Sequence, residues 1–299
     1  MGALVIDRNF KGSLTEDIND YPEGIIVVVD KPYRWTSADV VRKLKFAAIH
    51  HFQKKNLKVG HAGTLDPLAT GVLILCIGNA CKQAQALQDS DKEYVAGVCF
   101  GATTPSYDLE KEIDRYCPLD GVTPEAIRDM LPKFIGEQNQ VAPLFSAKQV
   151  DGVRAYELAR KMFKRSEPLD TAARDLLNVS RIRINDVSLT GMSVTGNGED
   201  SAVDAPAAGR INATGTTGAS GRINVAAIPA GLPVATIRIS CSKGTYIRAL
   251  ARDMGESLGS GAFLTALTRA SSGGHTVEDA LDLESILSLF NRHSRHCQD

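Results

Sequence analysis

The chain has no hydrophobic run long enough to cross a lipid bilayer, because its two longest runs are only Ile25–Val29 and Val72–Ile77. The segment Met1–Asp20 mixes acidic and basic side chains with few consecutive apolar residues. This composition fits neither a signal peptide nor an Arg-rich, acid-poor transit peptide. We therefore predict a protein with no membrane span and a cytoplasmic location.

The six cysteines form no Cys-x-x-Cys pair, and none has a histidine at zinc-finger spacing. This pattern argues against a zinc site or a disulfide framework and favours buried, reduced thiols. The 299 residues are 43% hydrophobic and 23% charged, which excludes a collagen-like or wholly disordered chain. A chain of this length buries roughly three quarters of its extended surface on folding, so its core needs no metal or crosslink.

Neither sign of charge is in excess, because the basic and acidic residues nearly cancel to a net charge of -1. The basic residues are nevertheless unevenly distributed along the chain. Residues 31–61 hold eight Lys and Arg residues against Asp39 alone. A second basic stretch, residues 148–165, holds six against Asp151 and Glu157. Such stretches usually form solvated helix faces, and two of them together add only modest support for a surface that binds nucleic acid.

The segment 191–231 is rich in Gly, Ala, Thr and Ser and has almost nothing large to bury. It repeats the tetrapeptide Gly-Arg-Ile-Asn at Gly209–Asn212 and Gly221–Asn224. Low-complexity sequence of this kind cannot build a core. We interpret it as a flexible insertion in a hairpin connection.

Apolar patterning and capping signals predict an α+β fold with a mixed, mainly antiparallel sheet flanked by helices, because strands and helices do not alternate regularly. The predicted strands are Ile25–Val29, Val72–Ile77, Glu93–Gly101, Val179–Leu189 and Val234–Cys241. The predicted helices are Ser37–His50 behind a Thr36/Asp39 capping box, Pro124–Phe134, Val153–Lys164, Tyr246–Leu258, and Val277–Phe290 behind a Thr276/Asp279 box.

The segment Gly60–Gly71 packs three glycines, a proline and one carboxylate, Asp66, into the connection before an apolar strand. It lacks the Gly-Lys-Ser/Thr of a phosphate loop, and its loop-then-strand order excludes a dinucleotide fingerprint. Asp66 could be a turn residue, a nucleophile or a general base. A metal site is poorly supported, because His61 is the only other candidate ligand in the loop.

A carboxylate that reacts in a dry site needs a nearby cation to stay ionised. Arg248, at the opening of a predicted helix, could supply that charge, although it could equally be a surface helix residue. Sequence spacing alone cannot pair Arg248 with Asp66.

Five separated motifs, in this order, closely resemble the TruB family of tRNA pseudouridine synthases. They cover the chain from about Gly24 to about Leu283, apart from the Gly-rich insertion. The motifs are Asp30-Lys31-Pro32, Gly60–Gly71, Ser146-Ala147-Lys148, Ala155–Arg160 and Cys241–Arg248.

The resemblance implies the pseudouridine synthase fold and a cofactor-independent isomerase that converts uridine 55 in the T-loop of tRNA to pseudouridine. It implies an N-terminal extension at 1–23, a catalytic domain at 24–283 and a short tail at 284–299. The expected partner is the tRNA T-arm, with no membrane and no metal, and we expect a monomer because no heptad or long exposed apolar stripe is present. The segment after Val277 is too short for the PUA-type RNA-binding domain common in bacterial members.

The resemblance also implies roles for individual residues. Asp66 would be the catalytic aspartate, Arg248 its ion-pair partner, and Tyr94 the aromatic residue that stacks on the extruded uracil. The residues expected to contact the substrate or support the site are His61, Tyr246, Leu267 and Lys31.

Two other classes of function stay open from the residues alone. An RNA chaperone that opens and refolds the tRNA elbow would use the basic stretches and would not depend on Asp66. A metal-dependent nuclease would use His61 and Asp66, but two ligands are few for such a site.

Overall fold

The computed structural model describes residues 2–143, 179–196 and 225–291, together with the backbone alone of 149–150 and 153–154. These residues form two compact units. The first comprises residues 2–94 and 268–291, and the second the remaining described residues from 95 to 267. Strands and helices are numbered along the chain.

The first unit is built on two apolar strands, β2 (Ile25–Lys31) and β4 (Ala69–Ile77), which pair antiparallel. Almost all of their side chains are buried on both faces, which explains their continuous apolar sequence. The strand order is β1-β2-β4-β13, with β3 paired to β4 and β14 to β13. The other strands are β1 (Leu4–Ile6), β3 (Val59–His61), β13 (Ala262–Ser272, of which 268–272 lie in this unit) and β14 (His275–Thr276). Strand β1 runs parallel to β2.

Helices α1 (Ser37–His51) and α5 (Leu283–Asn291) pack in one core cluster with apolar residues of β2 and β4. The predicted Thr36/Asp39 capping box at the start of α1 is confirmed. At its other end, the two ring nitrogens of His51 lie 3.0 Å from the carbonyl oxygens of Thr15 and Phe290. The unit also contains α2 (Ala84–Asp89) and the 3-10 turns Ile18–Asp20 and Gly78–Gln83.

The second unit has the strand order β13-β5-β12-β11-β8. The pairings of β11 with β12 and with β8 are antiparallel, and the β11–β12 pairing contains two register irregularities. Its strands are β5 (Lys92–Phe100, of which 95–100 lie in this unit), β6 (Ala102–Thr103), β7 (Arg115–Tyr116), β8 (Gly136–Val141), β9 (Gln149–Val150), β10 (Val153–Arg154), β11 (Val179–Val194) and β12 (Pro233–Cys241). Its helices are α3 (Pro124–Met130), the 3-10 turn Leu131–Phe134 and α4 (Ile247–Ser257).

The mixed, mostly antiparallel α+β architecture is confirmed, and each of the five predicted strands lies within about five residues of an observed one. Helix Pro124–Phe134 ends its α-helical part at Met130, and Pro132, which lacks an N–H, lies in the 3-10 turn that follows. The sequence did not predict β13, whose mixture of small, polar and apolar residues shows no clear alternation.

The predicted helix Val277–Phe290 is wrong in its first half. Thr276 does donate to Asp279 Oδ2, but the backbone of Leu281 pairs with β2, both donating to Val28 and accepting from Asp30. A residue bonded to a strand in this way cannot join a helix. The helix therefore begins at Leu283, where Asp282 accepts from the Ser285 N–H.

The predicted helix Val153–Lys164 is contradicted at its start, because Val153–Arg154 pairs antiparallel with Gln149–Val150. The backbone N–H and C=O groups of two paired strands form hydrogen bonds with each other. In a helix, the same groups would form hydrogen bonds within the one segment. Residues 155–164 lie outside the described residues, as do the motifs Ser146–Lys148 and Ala155–Arg160 and most of the basic stretch 148–165. Residues 197–224 of the predicted insertion also lie outside them.

Cys76, Cys99 and Cys241 are buried and reduced, as the cysteine pattern predicted, whereas Cys81 and Cys117 are only half-buried. Burial raises the pKa of Cys76 to about 11 and that of Cys99 to about 12. None of the helices in the described part of the chain combines the length and the apolar character of a membrane crossing.

Gly71 is the tightest point of β4, and we expect Gly71→Ala to destabilise the protein by at least about 2 kcal/mol. Its φ is +95°, and an added Cβ would lie 2.3 Å from the Arg269 carbonyl oxygen. Gly60→Ala is the matched control, because a Cβ added at Gly60 would have nothing within 4 Å of it and the φ of this residue is not left-handed. Urea unfolding of both variants is the measurement, and equal midpoints would contradict the prediction.

Candidate active site

The loop that carries Asp66 connects β3 to β4 in the first unit. Its start is fixed by Ala62, whose N–H donates to the Ile74 carbonyl at 2.9 Å. Its end is a tight turn in which the Ala69 N–H donates to the Asp66 carbonyl at 3.1 Å. Asp66 thus occupies a turn, as one sequence interpretation held, and its side chain is half-buried, so it stays accessible from solvent.

Lys31, at the end of β2, is completely buried, and its ammonium group holds this loop. Its Nζ donates to the carbonyl oxygens of Pro32 at 2.8 Å, Trp35 at 2.7 Å and Pro67 at 3.2 Å. Pro67 follows Asp66 directly, and its carbonyl also accepts the Arg34 N–H at 2.9 Å. One buried cation therefore ties the β2–α1 connection to the residue next to Asp66.

Burial lowers the pKa of Lys31 from 10.5 to about 7, against the attraction of Asp66, which raises it. Arg269 lowers it further by charge repulsion. The three carbonyl acceptors favour the charged form, because an ammonium has three N–H donors and a neutral amine only two. Below about pH 7, Lys31 thus carries a positive charge close to Asp66 within the same unit.

Arg269, on β13, holds the other side of the loop and is only 1% exposed. Its Nε donates to the Val72 carbonyl at 2.7 Å, and its two terminal nitrogens donate to the carbonyls of Thr64 and Gly63 at 3.3 and 3.2 Å. The guanidinium thereby joins the loop to the strand that follows it. The planar fork of an arginine suits several acceptors at fixed angles, which a lysine could not match.

The first turn of α1 adds a third attachment. The Ser37 hydroxyl accepts the Leu65 N–H at 2.9 Å and lies 3.1 Å from the Leu65 carbonyl, to which it donates. With Lys31 and Arg269, this hydroxyl fixes the main chain at four of the residues from Gly63 to Pro67. The sequence did not point to Ser37 or Arg269 as residues that hold the loop. They lie 28 and 206 positions from the loop residues they contact, and a single Ser or Arg at such a distance carries no local signal.

His61 stands at the start of the same loop and is half-buried. Its Nδ1 is buried and has no hydrogen-bond partner among the described residues. Burial, and then repulsion by Arg269, lowers its pKa, so the neutral ring is favoured. A buried polar atom without a partner is rare in native structures and marks this ring as a candidate functional side chain.

In the second unit, Arg248 lies in the first turn of α4 and is 4% exposed, which rules out a surface role. It donates to the Ser106 carbonyl at 3.2 Å, and its Nε lies 3.7 Å from Asp108 Oδ2. The other oxygen of Asp108 accepts the Glu110 N–H at 2.9 Å. Asp108 is a buried partner of Arg248 that the sequence did not indicate.

Tyr246 caps the start of α4 and is fixed through its main chain. Buried Gln140 accepts its N–H at 2.8 Å and donates to its carbonyl at 3.1 Å. Tyr94 on β5 is 8% exposed and shares one buried face with Ala96 and Val98. Leu267 on β13 is 9% exposed.

The structure brings Asp66, Lys31 and His61 together in the first unit, at or next to one loop, and Tyr94 also belongs to this unit. Arg248, Tyr246 and Leu267 belong to the second unit. The pairing of Asp66 with Arg248 and the roles of all seven residues stay predictions. Within the described residues, no cluster of three or more His, Cys, Asp or Glu side chains could hold a metal ion.

Comparison with known proteins shows the family of the chain that contains this loop. Residues 50–194 match the N-terminal domain of the TruB family of pseudouridylate synthases. The tRNA pseudouridine synthase B of Phocaeicola vulgatus is 41% identical over 267 residues, covering 89% of this chain and 93% of that protein. The chain belongs to the TruB family. The protein of the same name from Bacteroides thetaiotaomicron is 41% identical to this TruB-family chain, over 91% of this chain and 95% of that protein. The one from Deinococcus radiodurans is 35% identical, over 87% of this chain and 78% of that protein.

Solved structures support the same fold for this TruB-family protein. A Cbf5-Nop10-Gar1 complex contains a chain with a TM-score of 0.55 and 21% identity, matched over 96% of this chain and 62% of that one. The archaeal box H/ACA sRNP Nop10-Cbf5 complex gives 0.52 and 20%, over 91% and 55%. This chain spans little more than half the length of those proteins, and the likeness shows the predicted pseudouridine synthase fold.

We expect Lys31→Met to lower the free energy of unfolding by roughly 2–4 kcal/mol, because buried carbonyls of Pro32, Trp35 and Pro67 lose a donor. Part of the cost is offset at Pro67, which keeps the Arg34 N–H. Lys92→Met is a matched control: Lys92 is also buried, but its Nζ donates to Gln88 and Ser90, outside the loop. Limited proteolysis should then cut residues 62–68 faster in Lys31→Met only; equal cleavage in both variants would contradict the role of Lys31 in holding the loop.

Stability should also depend on pH through Lys31. Between about pH 7 and pH 10.5 the unfolded chain holds a proton at Lys31 that the folded chain has lost, so this group makes the free energy of unfolding rise with pH across that window. Other groups titrate in the same range, so the difference between wild type and Lys31→Met isolates the contribution. The measurement is the unfolding of both proteins at several pH values from 6 to 10, chosen to span this window. A difference in the free energy of unfolding that stayed constant with pH would refute the lowered pKa.

Proposed function

We propose that this protein converts uridine 55 in the T-loop of tRNA to pseudouridine. The observation that carries the proposal is its 41% identity, over nearly the full length of both chains, to tRNA pseudouridine synthase B. The loop geometry supports it, because Asp66 stands on a main chain fixed by two buried cations. We further propose that the T-arm is the part of the tRNA that is bound, and that the protein acts as a monomer in the cytoplasm.

The reaction is an isomerisation that neither adds nor removes atoms overall. The N1–C1′ glycosidic bond breaks, the uracil turns within the site, and C5 joins C1′. C5 then loses its hydrogen as a proton while N1 gains one, so the step is redox-neutral and needs no cofactor. Asp66 acts as the nucleophile toward either the sugar or the base, and a rigid loop keeps its carboxylate in place while the base moves.

Reaching C1′ requires that the target base leave the stacked RNA loop, at a cost of a few kcal/mol. A planar aromatic ring in the site can offset part of this cost by stacking on the extruded uracil. Tyr94 is assigned that role, with Tyr246 and Leu267 lining the pocket and His61 helping to hold the flipped nucleotide. His61 ends β3 directly before the loop that carries Asp66, which supports this assignment.

Arg248 is assigned as the partner that keeps the Asp66 carboxylate charged when water is excluded. Its position between the Ser106 carbonyl and Asp108 supports a positioning function, because a guanidinium held on one side can present its remaining N–H groups in a fixed direction. Lys31 contributes a second positive charge near Asp66.

Asp66→Asn should abolish pseudouridine formation, with a loss of about 10³-fold or more, while the fold is retained. The assay maps pseudouridine in an unmodified tRNA transcript by carbodiimide adducts and reverse-transcription stops, in parallel reactions with and without EDTA. Asp129→Asn is the control, because Asp129 is an exposed carboxylate on α3.

A stop at the T-loop uridine with wild type and Asp129→Asn, but not with Asp66→Asn, is the expected result. Full activity of Asp66→Asn would refute the assignment of the catalytic aspartate. Loss of the wild-type product on adding EDTA would instead favour a metal-dependent reaction. Retained tRNA refolding without any pseudouridine would favour an RNA chaperone.

A further inference from the structure

The outward face of α1 carries an exposed aromatic ring among cations. Phe46 is 75% exposed, the largest exposure among the large hydrophobic side chains of the described residues. Residues three or four positions away on a helix lie beside each other on its surface. The exposed neighbours of Phe46 on this face are Arg42, Lys43 and His50, with Lys45 at its edge.

Carboxylates are missing from this part of the sequence. Residues 40–65 contain six Lys and Arg residues and neither Asp nor Glu. The nearest acidic residue before them, Asp39, lies in the capping box and pairs with Arg42 at 2.8 Å. Among residues 39–65 the positive charge is thus opposed only by Asp39, at the N-terminal end of the helix, which suits a polyanion.

A pocket of about 540 Å³ adjoins the face, and three lysines line it. Lys45 comes from α1, and Lys55 and Lys58 from the connection to β3; all three are exposed. Asn56, Gly60 and Cys81 also line the pocket. Gly60 directly precedes His61, so the pocket is continuous along the chain with the loop that carries Asp66.

We propose that this surface, formed by Arg42, Lys43, Lys45, Phe46, Lys55 and Lys58, is an accessory RNA-binding site. The lysine pocket takes phosphates of the RNA backbone, and Phe46 stacks on an unpaired base. Phosphate contacts alone would suit any polyanion, but a ring exposed between cations matches the combination that binds single-stranded nucleic acid. The identity of the RNA as a tRNA rests on the proposed function.

The position of the surface is compatible with one RNA strand reaching both sites. The first turn of α1 holds the Asp66 loop through Ser37 and Leu65. Phe46 lies nine residues further along the helix, which is roughly 14 Å at 1.5 Å per residue. A tRNA whose target uridine is at Asp66 can therefore place neighbouring nucleotides on this surface.

The test compares RNA binding by the full-length protein and its variants, using fluorescence anisotropy with an unmodified tRNA transcript over a range of salt concentrations. Lys45→Ala/Lys55→Ala/Lys58→Ala should weaken binding about tenfold or more at low salt and reduce the slope of log Kd against log salt by about 2. The matched control is Lys11→Ala/Arg115→Ala/Lys133→Ala, which removes three exposed cations from other segments. The control should leave both quantities close to the wild-type values.

Phe46 is tested by three substitutions. Phe46→Ala should weaken binding by about tenfold, Phe46→Leu should be similarly weak, and Phe46→Trp should bind like wild type, since only an aromatic ring can stack on a base. Wild-type affinity in Phe46→Leu would overturn the stacking role and favour a hydrophobic contact with a protein. Circular dichroism of each variant checks the fold, and we expect it to be intact because these side chains are exposed.

The result that would overturn the proposal is a lysine triple variant with the affinity and salt slope of the control triple. Pseudouridine formation by wild type is measured in parallel to separate the two proposals. If wild type makes no pseudouridine but the lysine variant still binds RNA weakly, the proposed function fails and the RNA-binding surface stands. If wild type is active and the lysine variant binds normally, the surface proposal fails alone.

Discussion

The Lys31 ammonium is buried at the end of β2, and its three hydrogen bonds all go to main-chain carbonyls around the Asp66 loop. Removing an ammonium from water costs several kcal/mol, so it stays charged only where the surrounding acceptors and charges repay that cost. Here the carbonyl acceptors, the Pro67 carbonyl among them, and the nearby Asp66 carboxylate offset only part of that cost, because burial still lowers the pKa of Lys31 to about 7. The position of the Asp66 carboxylate and the charge state of Lys31 therefore depend on each other.

Arg269 completes this arrangement from a distant part of the chain. Strand β13 brings its guanidinium under the loop, where it bonds to Gly63, Thr64 and Val72. The close approach explains why residue 71 is glycine, since any Cβ there would meet the Arg269 carbonyl. A loop held at so many main-chain points cannot drift while a substrate is bound, which is what precise chemistry requires.

Sequence patterns predicted the elements that carry strong local signals. Continuous apolar runs marked β2 and β4, and the Thr36/Asp39 pair marked the start of α1. The patterns failed at Leu281, because its backbone forms hydrogen bonds with the distant strand β2 instead of continuing a helix. They also failed at β13, because its sequence shows no clear alternation. The resemblance of the motifs to one family was confirmed by comparison, because several motifs in order are specific where each alone is not.

By itself the sequence determined the fold class, the family and the loop on which Asp66 stands, because these follow from local apolar periodicity and from short motifs. Only the tertiary structure decided that Lys31, Ser37 and Arg269 hold that loop, and that Asp108 lies beside Arg248. These contacts join residues up to 206 positions apart. Linear spacing carries no information about such contacts, which arise when strands pair and bury polar groups that must then find partners.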